Sequence, residues 1–260
     1  MAISKVILNN TTQMDVTTVT ATAADVASGK TFLKADGTVG TGTASGGITI
    51  DGLASNTEPS GAINITVATI KTAAFRAKTG ITSVTATSTK IEDDAFRECR
   101  YNTSGSFPNV TTVGNGAFQS NSRMVSLYLP NATNKANYLV NDCGSLTSID
   151  VSSLTEVGDN AFQQCYVLEE VDFPSVTKIN QNSFYNARTL KRMILRHNQV
   201  VTLFSVNSFV NTPFRGYNGQ TGVFYVPSSL ISSYKSASNW STLFNEGYCS
   251  FEAIEGSIYE

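Results

Sequence analysis

Residues able to do enzyme chemistry are sparse in this chain. The single histidine, His197, lies between Arg196 and Asn198 in a polar stretch, where a solvated loop histidine is a simpler interpretation than a general base. The chain has no G-x-S-x-G nucleophile motif, no Walker loop and no Cys and His spacing typical of zinc ligands. We therefore predict that the protein is not an enzyme and uses no cofactor and no metal.

Acidic residues offer two further possibilities. The run Glu92-Asp93-Asp94 could hold a cation, although capping of a helix explains it more simply. Asp150, Glu169, Glu170 and Asp172 could form an acidic patch. A paired-carboxylate glycosidase, however, needs two carboxyl groups at a defined separation in a cleft. The repeat described below places these groups on a flat or convex face, which disfavours glycoside hydrolysis.

Three of the four cysteines share a spacing. The interval from Cys99 to Cys143 is twice the interval from Cys143 to Cys165, whereas Cys249 stands apart. The spacing predicts that the three thiols occupy one repeated and buried position, where Cys behaves as a small apolar residue. Neighbouring copies of this position could bring Cys143 and Cys165 within disulfide range, and the sequence leaves that pairing open.

A row of polar residues that alternates with apolar residues is the better candidate for ligand binding. Alternation with a period of two places one set inside a sheet and the other set outside. The outward set should form two ladders across one sheet. It changes along the chain from hydroxyls to carboxylates to arginine, and its tyrosine could bind a sugar. A solvated sheet face without a ligand is the alternative. The candidate residues are Ser104, Ser126, Tyr128, Ser148, Asp150, Glu170, Asp172 and Arg192.

A recurring dipeptide indicates what positions these residues. Ala or Ser precedes a phenylalanine at nearly constant intervals, except for one interval of double length, in which the missing member would fall at Val140. A fixed period of this size is typical of a solenoid. Such a fold offers a long regular surface and usually no catalytic pocket. The phenylalanines are Phe75, Phe96, Phe118, Phe162 and Phe184.

Each copy of the repeat predicts the same local structure. Two apolar residues alternate inward on a short strand, and Pro108, Pro130 or Pro174 ends it because proline cannot donate to a ladder. Asp94, Asn160 and Asn182 precede the Ala/Ser-Phe pair and suit the N-caps of short helical turns. One copy alone cannot bury its apolar residues, so we expect stacked copies to form the core.

The segments outside the repeat divide the chain further. Residues 1–45 predict a strand, a helical turn near residues 23–28 and a hairpin at Asp36-Gly37, which together are too small for a core of their own. We interpret them as an attachment or oligomerisation segment. Residues 46–61 are then a linker, 62–215 the solenoid, and 216–260 a strand–helix–strand cap that covers the last copy.

Composition excludes several functions. Charged residues make up 15% of the chain and the net charge is −2, which is not the basic footprint of a nucleic-acid binder. No apolar run approaches the ~20 residues that span a bilayer. The apolar start is too short for a signal peptide, so we expect no Sec export unless a leader precedes the numbered chain. A neutral, hydroxyl-rich protein of this kind fits a virion component that is released by lysis.

The repeated phrase Leu-x-x-Ile/Val-x-Val/Phe-Pro-x-Val-x-x-Ile-Gly-x-x-Ala-Phe-x-x-Cys resembles the BspA-type leucine-rich repeat. The likeness is clearest over residues 146–165 and 168–184, and it covers roughly residues 62–215. It implies a mainly β fold with short helical turns, arranged as a right-handed leucine-rich-repeat solenoid of about 22-residue rungs. BspA-type arrays elsewhere occur in bacterial and protist surface adhesins.

The start of the chain has a second likeness. Residues 1–9, 30–32, 36–37 and 41–43 resemble the N-termini of tailed-phage structural proteins. Together the two resemblances imply a virion protein, a tail, baseplate or fibre component, that displays its repeats for host-surface binding. The implied partners are other virion proteins through residues 1–45, a host cell-surface glycan or protein, and further copies, with a trimer favoured by analogy. The alternative is a bacterial surface or secreted leucine-rich-repeat adhesin, located on the bacterial cell surface.

Overall fold

Four of the described strands precede the solenoid. A computed structural model of the protein describes residues 60–260 together with these strands. β1 (Lys5–Leu8) pairs antiparallel with β2 (Thr12–Asp15), and β3 (Thr31–Leu33) pairs antiparallel with β4 (Val39–Thr41). The β3–β4 pairing agrees with a hairpin around Asp36-Gly37. The helical turn predicted at residues 23–28 lies outside the described residues, as do residues 46–59 of the predicted linker.

Parallel strands stacked at the repeat spacing form the first row of the solenoid. Within each sheet of this row, neighbouring strands pair in parallel, as expected for rungs that bury their apolar residues by stacking. Five strands make the first sheet, namely β5 (Gly61–Ile65), β7 (Ile81–Ala86), β9 (Ser104–Ser106), β11 (Ser126–Tyr128) and β12 (Ser148–Asp150). Four strands make the next, namely β14 (Glu170–Phe173), β16 (Arg192–Leu195), β18 (Gly222–Val226) and β19 (Cys249–Ala253).

A second row of two-residue strands lies on another side of each rung. It also divides into two parallel sheets. The first contains β6 (Thr69–Ile70), β8 (Lys90–Ile91) and β10 (Thr112–Val113). The second contains β13 (Glu156–Val157), β15 (Lys178–Ile179) and β17 (Thr202–Leu203). The predicted mainly β solenoid, with one rung for each copy of the repeat, is thereby confirmed.

The turns that carry the Ala/Ser-Phe pair are not helical. Asp94, Asn160 and Asn182 have φ angles of 55°, 55° and 53°, in the left-handed region that Asn and Asp tolerate. Their predicted role as helix N-caps is therefore wrong. The physical reason is that backbone N–H groups of these turns hydrogen-bond to the neighbouring rung instead of within a helix. The N–H groups of Asp94 and Phe96 donate to the Asn115 and Ala117 carbonyls at 2.9 and 2.8 Å.

Phenylalanine rings stack along the interior of the solenoid. The ring centroids of Phe75 and Phe96 are 5.0 Å apart, those of Phe96 and Phe118 are 5.4 Å apart, and the two rings of each pair are nearly parallel. Val140 is fully buried at the position where the sequence lacks a phenylalanine. The Ala/Ser-Phe spacing therefore marks a continuous core, as predicted.

The C-terminal end closes the solenoid with strands and short helices. β18 and β19 extend the sheet, and between them lie α1 (Ile231–Ser236) and α2 (Trp240–Asn245). The sequence predicts one helix here; the structure has two, because Ala237 is extended and Asn239 has a φ of 63°. The Trp240 indole donates to the Val201 carbonyl at 2.6 Å, which ties the helices to the last rung.

Candidate ligand-binding face

Strand register brings the predicted polar residues into two rows. Ser126 lies between Ser104 and Ser148 in the sheet, and Tyr128 lies between Ser106 and Asp150. The predicted ladders are confirmed across this first sheet. We call the outward residues of β7, β9, β11 and β12 the open face; they are Ser83, Thr85, Ser104, Ser106, Ser126, Tyr128, Ser148 and Asp150.

Buried neighbours fix the orientation of the open face. Leu127 is 2% exposed and points into the core, so Ser126 and Tyr128 on either side must point outward. The Tyr128 ring is 44% exposed, which leaves it free to contact a ligand. Asp150 accepts the Ser152 backbone N–H at 3.0 Å through Oδ1 alone, so this bond leaves Oδ2 for another partner.

A second aromatic residue lies beside the open face. Tyr101, just before β9, is 46% exposed, and the Arg123 guanidinium lies over its ring at 4.6 Å from the centroid. Tyr101 is not among the candidate residues that the sequence singles out. The signal that could have identified it is the separation of Tyr101 and Arg123, which stand one repeat apart in the sequence.

The ladder stops between β12 and β14. The sequence predicts both polar rows across one sheet, but the structure has two sheets that end at these strands. Continued register would place Asp150 opposite Asp172, and like charges directly opposite each other destabilise a strand pair. Ile149 is only partly buried at this break, whereas its counterpart Leu127 is buried.

The charged candidates beyond the break contact one another. Glu170 and Arg192 are in register on β14 and β16, and the Arg192 Nε donates to Glu170 Oε2 at 2.6 Å. This bond raises the pKa of the Arg192 guanidinium. Asp172 accepts three bonds from Arg196, two from Nε at 3.0 Å and one from Nη2 at 2.8 Å, which raise the pKa of Arg196 in the same way. Glu170, Asp172 and Arg192 are therefore already paired within the chain.

A shallow groove of about 390 Å³ lies along the second row of strands. Glu92 in the groove is paired, since Lys90 of the lining and Lys71 beside it each lie 3.5 Å from its carboxylate. The Thr72 N–H donates to Glu92 and lowers the pKa of that carboxyl. Asp93 accepts the Asn115 N–H at 2.7 Å. The acidic run thus serves contacts between rungs rather than a helix cap, and the described residues hold no cluster of three or more potential metal ligands.

The repeated cysteines are buried thiols, as the sequence predicts. All four cysteines of the chain are free, so Cys143 and Cys165 are not bonded to each other. The Cys99 thiol donates to the Phe75 carbonyl at 2.9 Å, and the Cys143 thiol donates to the Phe118 carbonyl at 3.2 Å. Burial raises the pKa of Cys99 and of Cys143 to about 12. A protonated, buried thiol is a poor nucleophile.

Two ladders of polar side chains were not predicted, although their members recur in the sequence at the period of the repeat. In the first, each Thr hydroxyl donates to the backbone carbonyl one rung earlier, at 2.7 to 3.4 Å. In the second, a side-chain oxygen accepts the backbone N–H of its equivalent one rung later, at 2.7 to 3.1 Å. The members are Thr89, Thr111, Thr133, Thr155 and Thr177, and Asp93, Asn115, Asn137, Asp159 and Gln181.

His197 contacts only its own loop among the described residues. Its Nδ1 lies 3.2 Å from the Gln199 N–H and 3.4 Å from the Gln199 carbonyl. Helices in the described part of the chain are all too short or too polar to cross a membrane.

Comparisons with known proteins bear on the whole solenoid. The chain matches the BspA type leucine rich repeat region, in six copies, over residues 59–166 and 136–238. A leucine rich cell surface protein from Faecalibacterium prausnitzii A2-165 has 14% identity and a TM-score of 0.38, covering 83% of this chain and 94% of that one. A leucine-rich repeat protein from Bacteroides ovatus ATCC 8483 has 17% identity and a TM-score of 0.35, covering 75% and 68%.

The search of curated proteins found no match. The resemblance of residues 1–45 to tailed-phage structural proteins has no counterpart in these comparisons. The repeat match, in contrast, spans more than half of the chain and coincides with the stacked rungs. The chain therefore belongs to the BspA-type leucine-rich repeat family.

Proposed function

We propose that the protein is a surface-displayed binding module, an adhesin, whose open face holds a surface glycan. The observation that carries the proposal is the register of the two outward rows, which sets Tyr128 beside Asp150 within a field of serine hydroxyls. An exposed tyrosine offers an apolar ring and a polar hydroxyl together. Carboxylate and hydroxyl groups beside it can bond the hydroxyls of a sugar.

The other features of the chain support binding rather than catalysis. The charged candidates Glu170, Asp172 and Arg192 are paired, and the thiols are buried and protonated. The groove along the second row is shallow, and its Glu92 is already paired with Lys90. A solenoid of stacked rungs offers an extended regular surface, which is the usual means by which repeat proteins bind. For these reasons we retain the prediction that the protein is not an enzyme and needs no cofactor.

A glycan array tests the proposal. Wild-type protein should bind a subset of glycans, and Tyr128→Ala or Asp150→Ala should weaken that binding about tenfold, the loss of roughly 1.4 kcal/mol. Tyr138→Ala is the matched control, because Tyr138 is 42% exposed and lies on a turn outside the sheet. Equal binding by wild type and both open-face variants would exclude the open face as the site.

The virion prediction concerns residues 1–45 and needs its own test. Under it, the protein would be a tail, baseplate or fibre component that attaches through this segment to other virion proteins, with host-surface binding by the same open face. Mass spectrometry of purified phage particles should then detect the chain, and light scattering should find a homo-oligomer, with a trimer expected. Surface labelling of intact bacteria should instead detect the chain if it is a bacterial adhesin.

A further inference from the structure

The last residues of the chain lie across the charged part of the first row. We call residues 257–260 the strap and the outward residues Glu170, Arg192 and Ile194 the covered face. The Tyr259 hydroxyl donates to Glu170 Oε2 at 2.6 Å. The Tyr259 carbonyl accepts Arg196 Nη1 at 2.7 Å. The strap thus binds Glu170, which the sequence assigns to a ligand, and Arg196, which pairs with the candidate Asp172.

Strand order shows how the strap reaches over the sheet. Tyr259 contacts Glu170 on β14, and its ring lies 4.6 Å from that of Tyr225 on β18. β16 lies between these two strands and carries Ile194 in register with Asp172 and Tyr225. Ile194 occupies an outward position yet is fully buried, whereas Asp172 in the same row is exposed. Tyr259 therefore bridges over β16 and contributes to the cover above Ile194.

The strap is attached by few contacts. Ile258 is 91% exposed, and Gly256 has a φ of 78° at the turn that leads into the strap. Tyr259 supplies the strap's bonds to the covered face, and burial together with its bond to Glu170 raises its pKa to about 12. Segments with few buried apolar contacts are those that open at low free energy.

The three groups that the strap places on the sheet indicate which chemical features a ligand needs in order to replace it. They are a hydroxyl donor to Glu170, a carbonyl acceptor for Arg196 and a flat ring against Tyr225. An N-acetylated amino sugar carries the same three features, because it has ring hydroxyls, an acetamido carbonyl and an apolar ring face. A sugar without the acetyl group lacks the carbonyl acceptor.

We propose that the strap is a displaceable cover, and that an N-acetylated glycan on the open face takes its place on the covered face. The inference rests on the proposed function, which it extends from β12 across the break to β16. Displacement would lengthen the ligand face by the outward residues of two strands. It would also replace the contacts of the strap with similar contacts to the ligand. Because the ligand must compete with the strap, the closed form lowers the apparent affinity for the glycan.

The cover itself is tested without a ligand. Carbodiimide coupling of carboxyl groups, read by mass spectrometry, should label Glu170 more rapidly in Tyr259→Ala than in wild type. Ile258→Ala is the matched control in the same segment, since its side chain is exposed, and it should label as wild type does. Deletion of residues 257–260 should repeat the effect of Tyr259→Ala. Unchanged labelling of Glu170 in both strap variants would overturn the cover.

The ligand class is tested with two probes of equal length, tri-N-acetylchitotriose and its deacetylated form. Tyr259→Ala should bind the acetylated trimer about fivefold more tightly than wild type, as expected if the closed strap occupies most of the population. It should bind the deacetylated trimer as wild type does. Faster labelling of Glu170 without a gain for the acetylated trimer would overturn this ligand class. Failure of the proposed function is recognised separately, because the glycan arrays would then show equal binding by wild type, Tyr128→Ala and Asp150→Ala.

Discussion

The Asn134 side chain hydrogen-bonds both backbone groups of Val113. Its Oδ1 accepts the Val113 N–H at 2.8 Å, and its Nδ2 donates to the Val113 carbonyl at 2.8 Å. Asn134 stands at the rung where the second row has no strand between β10 and β13. The Asn134 amide therefore supplies the backbone hydrogen bonds that a paired strand supplies in the neighbouring rungs.

Replacement of Asn134 should destabilise the solenoid. Asn134→Ala leaves the Val113 N–H and carbonyl without these partners, and we expect a loss of about 1–3 kcal/mol in the free energy of unfolding. Chemical denaturation measures the change. Asn109→Ala is the control, because Asn109 is exposed and has no side-chain hydrogen bond in the described structure. Equal stability of the two variants would contradict the role of Asn134.

Replacement of Asn102 should have the opposite effect. Asn102 is fully buried, and neither polar atom of its side-chain amide has a hydrogen-bond partner among the described residues. The equivalent position in the next rungs holds Met124, Leu146 and Leu168, all fully buried. Asn102→Leu removes an unsatisfied amide and fills an apolar position, so it should raise the free energy of unfolding by about 1–3 kcal/mol.

The thermal midpoint is the measurement for Asn102→Leu. Asn109→Leu makes the same chemical change at an exposed position and should leave the midpoint nearly unchanged. A midpoint for Asn102→Leu at or below that of wild type would show that the buried amide is satisfied in solution.

A close backbone approach at Gly158 predicts intolerance of any side chain. A Cβ atom at Gly158 would lie 2.1 Å from the Ala136 carbonyl oxygen, which is backbone and cannot move aside cheaply. Gly158→Ala should therefore lower stability by about 1–3 kcal/mol. At Gly144 a Cβ would lie 3.2 Å from the Tyr166 ring, a side chain that can shift. Denaturation midpoints should show a smaller loss for Gly144→Ala, and a reversed order would refute the argument.

Alkaline pH should destabilise the protein through its buried thiols. Burial raises the pKa of Cys99, Cys143 and Cys249 from 9.0 to about 12. The folded state then keeps protons that the unfolded state releases, so the stabilisation is full below pH 9 and is lost as pH rises toward about 12. Melting midpoints measured across this range should fall steadily.

A single-cysteine variant checks the origin of that pH dependence. Cys143→Ala removes one titrating group, and its stability should fall less steeply with pH than that of wild type, by at most about 1.4 kcal/mol per pH unit. Cavity formation would lower stability at every pH alike and would not change the slope. An unchanged slope would show that other groups cause the alkaline loss.

Periodicity alone determined the rung register in this protein. Ser104, Ser126 and Ser148 follow one another at the period of the repeat, and stacking of identical rungs makes that spacing a register between strands. The same period placed Cys99, Cys143 and Cys165 in the core, and Val140 in the position of a missing phenylalanine. These inferences hold because each rung contacts only its neighbours, so local sequence carries the information.

Tertiary structure determined the features that the repeat period does not predict. The bonds of Asp94 and Phe96 go to the next rung, which is why the turns are left-handed rather than helical. The break between β12 and β14 depends on the opposition of particular residues. The strap joins Tyr259 to Glu170 across 89 residues, far outside any repeat. Such a contact depends on where the end of the chain comes to lie on the folded sheet, and only the tertiary structure determines that.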